Sequence, residues 1–154
     1  MAVRLEKEGA VGVIVLDRVL YSSVHYPTDY GFVTGTLALD GDPLDALVIV
    51  DEPTFPGCHV MARPIGVLDM RDEKGPDQKI LAVAIGDPRY ADMRELTDLG
   101  PHWLREIENF FQTYKALEAK WTDVLGWQPA AAAFAVIDQA RDLHARRLET
   151  TDLP

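Results

Sequence analysis

The chain has 154 residues, a hydrophobic fraction of 47% and a formal net charge of −10. That length suits one domain with a sizeable core, and the acidic balance excludes nucleic-acid binding through a basic face. Cys58 is the sole cysteine, so no internal disulfide forms and a reducing compartment is compatible. No charged N-terminal region precedes a long apolar stretch, and no run approaches the roughly 18 apolar residues of a membrane span. The simplest expectation is a single domain, residues 1–154, soluble and cytoplasmic, with neither membrane nor nucleic acid as partner.

In chain order, the first two thirds read as strands and turns. Apolar, β-branched runs at 11–16, 32–39, 46–50, 59–68 and 78–85 are separated by Gly and Pro. Short strands at this spacing, without intervening helices, predict a closed or nearly closed barrel. Pro64 interrupts the fourth run and predicts an edge or a bulge there. The last third reads as helical. Pro101 suits a first helical turn, and Leu104, Ile107, Phe111, Tyr114 and Leu117 recur at three- and four-residue steps. Tyr114 and Lys115 then fall near the C-terminal end of that helix. Pro129 opens a second helix, on which Phe134, Ile137, Arg141, His144 and Leu148 share a face. The fold class is mainly β with C-terminal helices (α+β).

The chemistry concentrates in Asp40-Gly41-Asp42-Pro43-Leu44-Asp45. Gly41 and Pro43 break helix and strand alike, so the segment is a turn. It feeds the apolar run 46–50, which reads as a buried strand. A second acidic group, Asp69, Asp72, Glu73 and Asp77, lies between two apolar runs. Residues 40–77 hold nine acids against three bases, so most of the net charge is local, as a cation site requires. Crowded carboxylates repel, and hard divalent cations such as Mg²⁺ and Ca²⁺ relieve that repulsion through oxygen ligands. Asp51, Glu52, Asp69 and Glu73 read as solvated turn acids. Asp40, Asp42, Asp45, Asp72 and Asp77 read together as a multi-metal site. The spacing excludes an EF-hand, which needs Gly at its sixth position and Glu at its twelfth.

Cations and tyrosines accompany the acids. Arg18 follows a strand, Tyr21, Tyr26 and Tyr30 come next, Lys79 stands two residues beyond Asp77, and Tyr114-Lys115 lies farther on. Arg and Lys bind phosphate through charge-assisted hydrogen bonds, and Tyr hydroxyls add neutral donors. Each residue alone is unremarkable. Carboxylate-held metals with cationic arms make a phosphoryl-transfer site.

Six motifs occur in one family's order across roughly residues 16–127. They are Tyr26-Pro27-Thr28-Asp29-Tyr30-Gly31-Phe32, Asp40-Gly41-Asp42-Pro43-Leu44-Asp45 with Ala46-Leu47-Val48, and Ala62-Arg63-Pro64-Ile65-Gly66-Val67. The others are Asp72-Glu73-Lys74-Gly75-Pro76-Asp77-Gln78-Lys79, Gly86-Asp87-Pro88-Arg89 and Phe110-Phe111-Gln112-Thr113-Tyr114-Lys115. On these the chain resembles a family I soluble inorganic pyrophosphatase of the bacterial type. The resemblance implies a five-stranded OB-like barrel with two helices packed outside. It implies Mg²⁺-dependent hydrolysis of pyrophosphate to two orthophosphates, and by family analogy a homohexamer.

Residue by residue, it implies that Asp40, Asp45 and Asp77 hold a first metal, with Asp45 shared by a second. Asp72 and Asp77 would hold the metal that enters with pyrophosphate. Asp42 matches the general base for the attacking water and Tyr30 an active-site tyrosine. Arg18, Lys79, Tyr114 and Lys115 match phosphate-binding groups. Arg4-Leu5-Glu6 stands in place of a Lys-Tyr-Glu element, which makes Arg4 a substrate contact and Glu6 a metal ligand. The family's preceding Glu-Ile-Pro strand has no counterpart here. That departure admits a second reading, a pyrophosphatase-like protein of weak or lost activity that binds metal-phosphate or serves assembly.

Overall fold

The computed structural model describes the backbone of residues 2–8 and 11–151, and the side chains of residues 16 and 18–150. The alternation in Val3-Arg4-Leu5-Glu6 is a strand signal, and β1 (Ala2–Glu8) pairs antiparallel with β2 (Val11–Arg18) as a separate hairpin. The main sheet comprises β3 (Asp29–Phe32), β4 (Asp45–Ile49), β5 (Ala62–Asp72), the two-residue β6 (Gly75–Pro76), β7 (Lys79–Ala84) and β8 (Thr122–Pro129). Its ladder runs β3-β4-β7-β5-β8, with β6 at the end of β5. Only β4 and β7 pair in parallel among the described strands. These five longer strands form the OB-like wall; no ladder joins β3 to β8 among the described residues.

Both faces of the sheet are covered, which explains why its strands read as continuous apolar runs. On β7, Leu81 and Val83 belong to one core cluster, with Ile107, Phe110, Phe111 and Tyr114. Ile80 and Ala82 belong to another, with Ala133, Ile137 and Ala140. α1 (Pro101–Thr113) supplies the first group; Gly100 is its N-cap and Pro101 opens it. α2 (Ala130–Thr151) supplies the second and packs against β5 and β8. No helix among the described residues is long and apolar enough to cross a membrane.

Five expectations need correction. The run at 32–39 is not a strand: β3 ends at Phe32, and Gly35 at φ +69° starts a long loop to β4. β5 extends through Asp72, so Asp69 and Asp72 lie on a strand rather than in a turn. The last third is not wholly helical, because β8 separates α1 from α2; Ala119 at φ +53° turns the chain into it. On α2 the buried stripe is Ala130, Ala133, Ile137 and Ala140, whereas Phe134 and Leu148 are exposed. Small residues face the sheet there because the helix approaches it closely. Leu117, expected on α1, is likewise exposed, on a 3-10 turn beyond that helix.

Pro64 behaves as expected, since the β5–β7 register slips between Pro64 and Gly66. Gly66 is needed for space. A Cβ at Gly66 would lie 2.5 Å from Cγ of Leu96, on a 3-10 turn packed over β5. Gly66→Ala should therefore destabilise by about 1–3 kcal/mol through overpacking, read as a lower melting temperature by calorimetry. Adding Leu96→Ala should recover part of the loss; a Gly66→Ala protein as stable as wild type would show that Leu96 moves aside freely.

Candidate active site

Parallel pairing of β4 with β7 aligns their starts. Ala46 lies opposite Ile80, so Asp45 and Lys79, each the first residue of its strand, come to the same end. Strand alternation puts Lys79 on the side of Leu81 and Val83, toward the α1 core. There its ammonium sits 2.5 Å from Asp45 Oδ2 and 2.5 Å from Asp77 Oδ1. Lys79 is only 3% exposed. A buried charge requires a partner, and here it has two. Burial works against the Lys79 charge, but Asp45 and Asp77 outweigh it and hold the ammonium above the ordinary lysine range. Burial raises the Asp77 carboxyl, and Lys79 only partly offsets this.

A second ion pair forms beside the first. Antiparallel pairing of β5 with β7 brings the far end of β5 over this cleft, and Lys115 Nζ donates to Asp72 Oδ2 at 3.0 Å. Asp72 Oδ1 accepts the Lys74 amide at 2.9 Å. Burial disfavours the Asp72 anion, yet the Lys74 amide and the Lys115 ammonium prevail and hold its carboxyl below the usual aspartate range. Tyr114 caps α1 and Lys115 lies just beyond it, so neither is within the helix as expected.

Aromatic rings wall the cleft. Tyr30 lies on β3, opposite Leu47, and its ring centroid is 5.7 Å from Lys79 Nζ. Although Tyr30 is partly exposed, desolvation of the hydroxyl and the negative charge of Asp45 raise the Tyr30 hydroxyl above the ordinary tyrosine range. Burial likewise raises Tyr114, while the Lys79 and Arg18 charges pull it back. Tyr26 packs 4.9 Å from Tyr30 and 4.8 Å from Phe110, and Phe110 stacks on Tyr114 at 5.2 Å. Tyr26, expected as a hydroxyl donor, and Phe111, expected on the α1 face, join Phe110 in an aromatic wall that spacing along the chain did not reveal.

The loop 33–44 delivers the remaining acids. Gly41 adopts φ +90°, and Asp40 Oδ1 accepts the Asp42 amide at 3.0 Å, so the two carboxylates sit on one tight turn. Asp40, Asp45 and Asp77 line one pocket with Pro43, Pro76 and residues of α2. Among the described residues, no three acids converge as they stand to hold one ion; the Lys79 ammonium occupies the space between Asp45 and Asp77. Arg18 ends β2, and its charge reaches Tyr114. Arg4 and Glu6 stand on β1 opposite Val15 and Val13, with side chains outside the described set.

A family model described as inorganic pyrophosphatase matches residues 2–145. The chain belongs to that family. It is 61% identical over 125 residues to an inorganic pyrophosphatase of Nostoc sp., covering 81% of this chain and 74% of the relative. It is 51% identical over 136 residues to one of Synechocystis sp., covering 88% and 80%. Among solved structures, the inorganic pyrophosphatase of Helicobacter pylori superposes with a TM-score of 0.86 at 41% identity, covering 93% of this chain and 86% of that one. That of Thermus thermophilus gives 0.85 at 42%, covering 92% and 83%.

The Asp72–Lys115 pair makes stability depend on pH with a definite sign. Asp72 in the folded chain titrates below its ordinary 3.8, so on acidification the unfolded chain takes the proton first. The stabilisation is therefore full above that ordinary value and is lost as pH falls through the lower folded one. Lys115→Met should lower the melting temperature of chelator-treated protein at neutral pH. The gap to wild type should close below about pH 4. A gap independent of pH would show that packing, not the ion pair, is what Lys115 contributes. The Lys79 contribution has the opposite limb: it persists through neutrality and falls only as pH rises above the ordinary 10.5 toward its higher folded value.

Proposed function

We propose that hydrolysis proceeds by attack of a water whose proton passes to Asp42, at a site where the aspartates hold Mg²⁺ and the lysines hold phosphate. The enzyme is an inorganic pyrophosphatase, and its reaction converts pyrophosphate to two orthophosphates. The observation that carries the site assignment is the Lys79 ammonium held between Asp45 and Asp77. It marks a place that demands positive charge, surrounded by hard oxygen donors of the kind Mg²⁺ prefers. The residues present therefore fit the metal.

In this reading Asp40, Asp45 and Asp77 would hold one ion, Asp45 would also contribute to a second, and Asp72 and Asp77 would hold the ion that accompanies substrate. Bound Mg²⁺ acidifies water and neutralises phosphate charge. The chain's own groups do the rest. Asp42, exposed on its turn, takes the proton as the water oxygen bonds to one phosphorus. The bond from that phosphorus to the bridging oxygen breaks, and its electron pair leaves with the second phosphate. Lys115, Lys79, Arg18 and the Tyr114 hydroxyl stabilise that developing charge. The Tyr30 hydroxyl stays protonated beside the Asp45 carboxylate. Arg4 is assigned to substrate, Glu6 to metal and the homohexamer on family analogy, and the cytoplasmic location on composition. The catalytic unit is one domain across residues 1–154. No observation favours the alternative of a binding subunit with weak activity.

Two measurements separate base from ligand. Asp42→Asn should cut turnover on the order of 10²-fold or more while leaving calorimetric Mg²⁺ affinity near wild type. Asp45→Asn should weaken Mg²⁺ binding as well. Equal loss of metal affinity in both variants would refute the division of roles, and undiminished hydrolysis in excess chelator would refute the metal site itself.

The ammonium and the metal answer the same negative charge. Lys79→Met should lower the melting temperature of chelator-treated protein, and Mg²⁺ should restore more stability to this variant than to wild type. Equal Mg²⁺-induced shifts in the two proteins would mean that Lys79 does not compete with the ion.

A further inference from the structure

The loop 33–44 carries Asp40 and Asp42, and its neck has a particular construction. Val33 N–H donates to Leu44 O at 2.8 Å, continuing the β3–β4 ladder one rung past Phe32 and Asp45. The reciprocal bond is replaced by a relay. Leu44 N–H donates to Thr36 Oγ1 at 3.0 Å, and the Thr36 hydroxyl donates to Val33 O at 2.5 Å. One hydroxyl stands between an amide and a carbonyl that an ordinary rung would pair directly. Thr36 and Leu44 are each 2% exposed, so solvent does not replace a lost partner there.

Short links run from this neck to the acids. Leu37 N–H donates to Ala140 O of α2 at 2.9 Å. Ala38 N–H donates to Asp42 O at 2.7 Å, and Gly41 N–H to Ala38 O at 3.1 Å. The Asp42 amide closes the turn on Asp40 Oδ1. Pro43 follows with a restricted φ and no donor, and Leu44 returns to the Thr36 hydroxyl.

We infer that Thr36 is a positioning residue for hydrolysis, its hydroxyl acting as a spacer in the β3–β4 ladder that sets where the Asp40–Asp42 turn presents its carboxylates. The inference rests on the reading that Asp42 takes the proton. Without the hydroxyl, either the rung closes and draws the neck together, or an amide and a carbonyl remain buried and unpaired. Both outcomes move the turn relative to Lys79 and Lys115, which are anchored on other elements. The substrate contacts stay in place while the proton acceptor shifts.

Steady-state kinetics on the full chain with Mg²⁺ and pyrophosphate test this. Thr36→Val keeps the branched shape and should lower kcat by about tenfold to a hundredfold, the scale of a 1 Å misplacement. KM should stay within about twofold, and Thr36→Ser should return kcat to within about threefold of wild type. Should Thr36→Val not fold, Thr36→Cys replaces it; its sulfur accepts weakly, and its kcat should fall between the Ser variant and Asp42→Asn. Ile65→Val, in the buried part of β5 far from Asp72, serves as a control that lowers the melting temperature without slowing turnover. Wild-type kcat in Thr36→Val, a Ser variant as slow as the Val variant, or an equally slow Ile65→Val would each overturn the spacer role. Full turnover in Asp42→Asn would instead overturn the proton-acceptor reading, so the two failures are distinguishable.

Discussion

A lysine ammonium enclosed between two carboxylates is the constraint around which the cleft is organised. Lys79 is 3% exposed and touches Asp45 and Asp77 at 2.5 Å each. A charge in that position without partners would cost several kcal/mol. Asp45 comes from β4 and Asp77 from the short link that enters β7, so the three groups meet only when β4 and β7 align in parallel. Fold and site are thus one condition: the register that satisfies Lys79 also gathers the acids. Two carboxylates share one ammonium, which leaves negative charge in excess.

The aromatic wall strengthens that arrangement. Tyr30 and Phe111 lie 5.7 and 5.8 Å from the Lys79 ammonium, and Tyr114 lies 5.4 Å from that of Lys115. Ring faces attract cations and exclude water, so each ion pair in the cleft acts in a lower dielectric than at an open surface. The same rings hold α1 against the sheet, through the contacts of Phe110 with Tyr26 and Tyr114. Packing and electrostatics therefore reinforce each other: what anchors the helix also shapes the environment of Lys79 and Lys115.

α2 connects to the chemistry from the other face. Its stripe of alanines lets the backbone of the 33–44 loop come near enough for the Leu37 amide to reach the Ala140 carbonyl. Bulky residues on that stripe would hold the loop away. Farther along the helix, Arg147 reaches the Gly41 carbonyl at 3.5 Å. Asp40 and Asp42 are in this way fixed by the neck at Thr36 and by α2, whose Arg147 lies 106 residues from Gly41 in the chain.

How much of this was legible beforehand differs by element. The strands at 46–50 and 78–85 were readable because burial on both faces yields unbroken apolar runs, and Pro64 announced its own bulge. Three aspartates around Gly41 and Pro43 stood out as a set by spacing alone, and the structure brings Asp45 together with Asp77 and Lys79. The run at 32–39 misled because alternating apolar residues also line a packed loop, where Gly35 and the Thr36 hydroxyl override strand propensity. β8 was overlooked because its alternation is weak and it lies between two helical patterns. The face of α2 was misplaced because large side chains were favoured over alanines, when closeness to the sheet selects the small ones. By itself the sequence determined the family and its reaction, since those depend on side-chain identity and short spacing. Only the tertiary structure decided which carboxylate meets which ammonium and where the Asp40–Asp42 turn is held, because strand register and the hydrogen bonds of a loop neck join residues that spacing along the chain leaves unrelated.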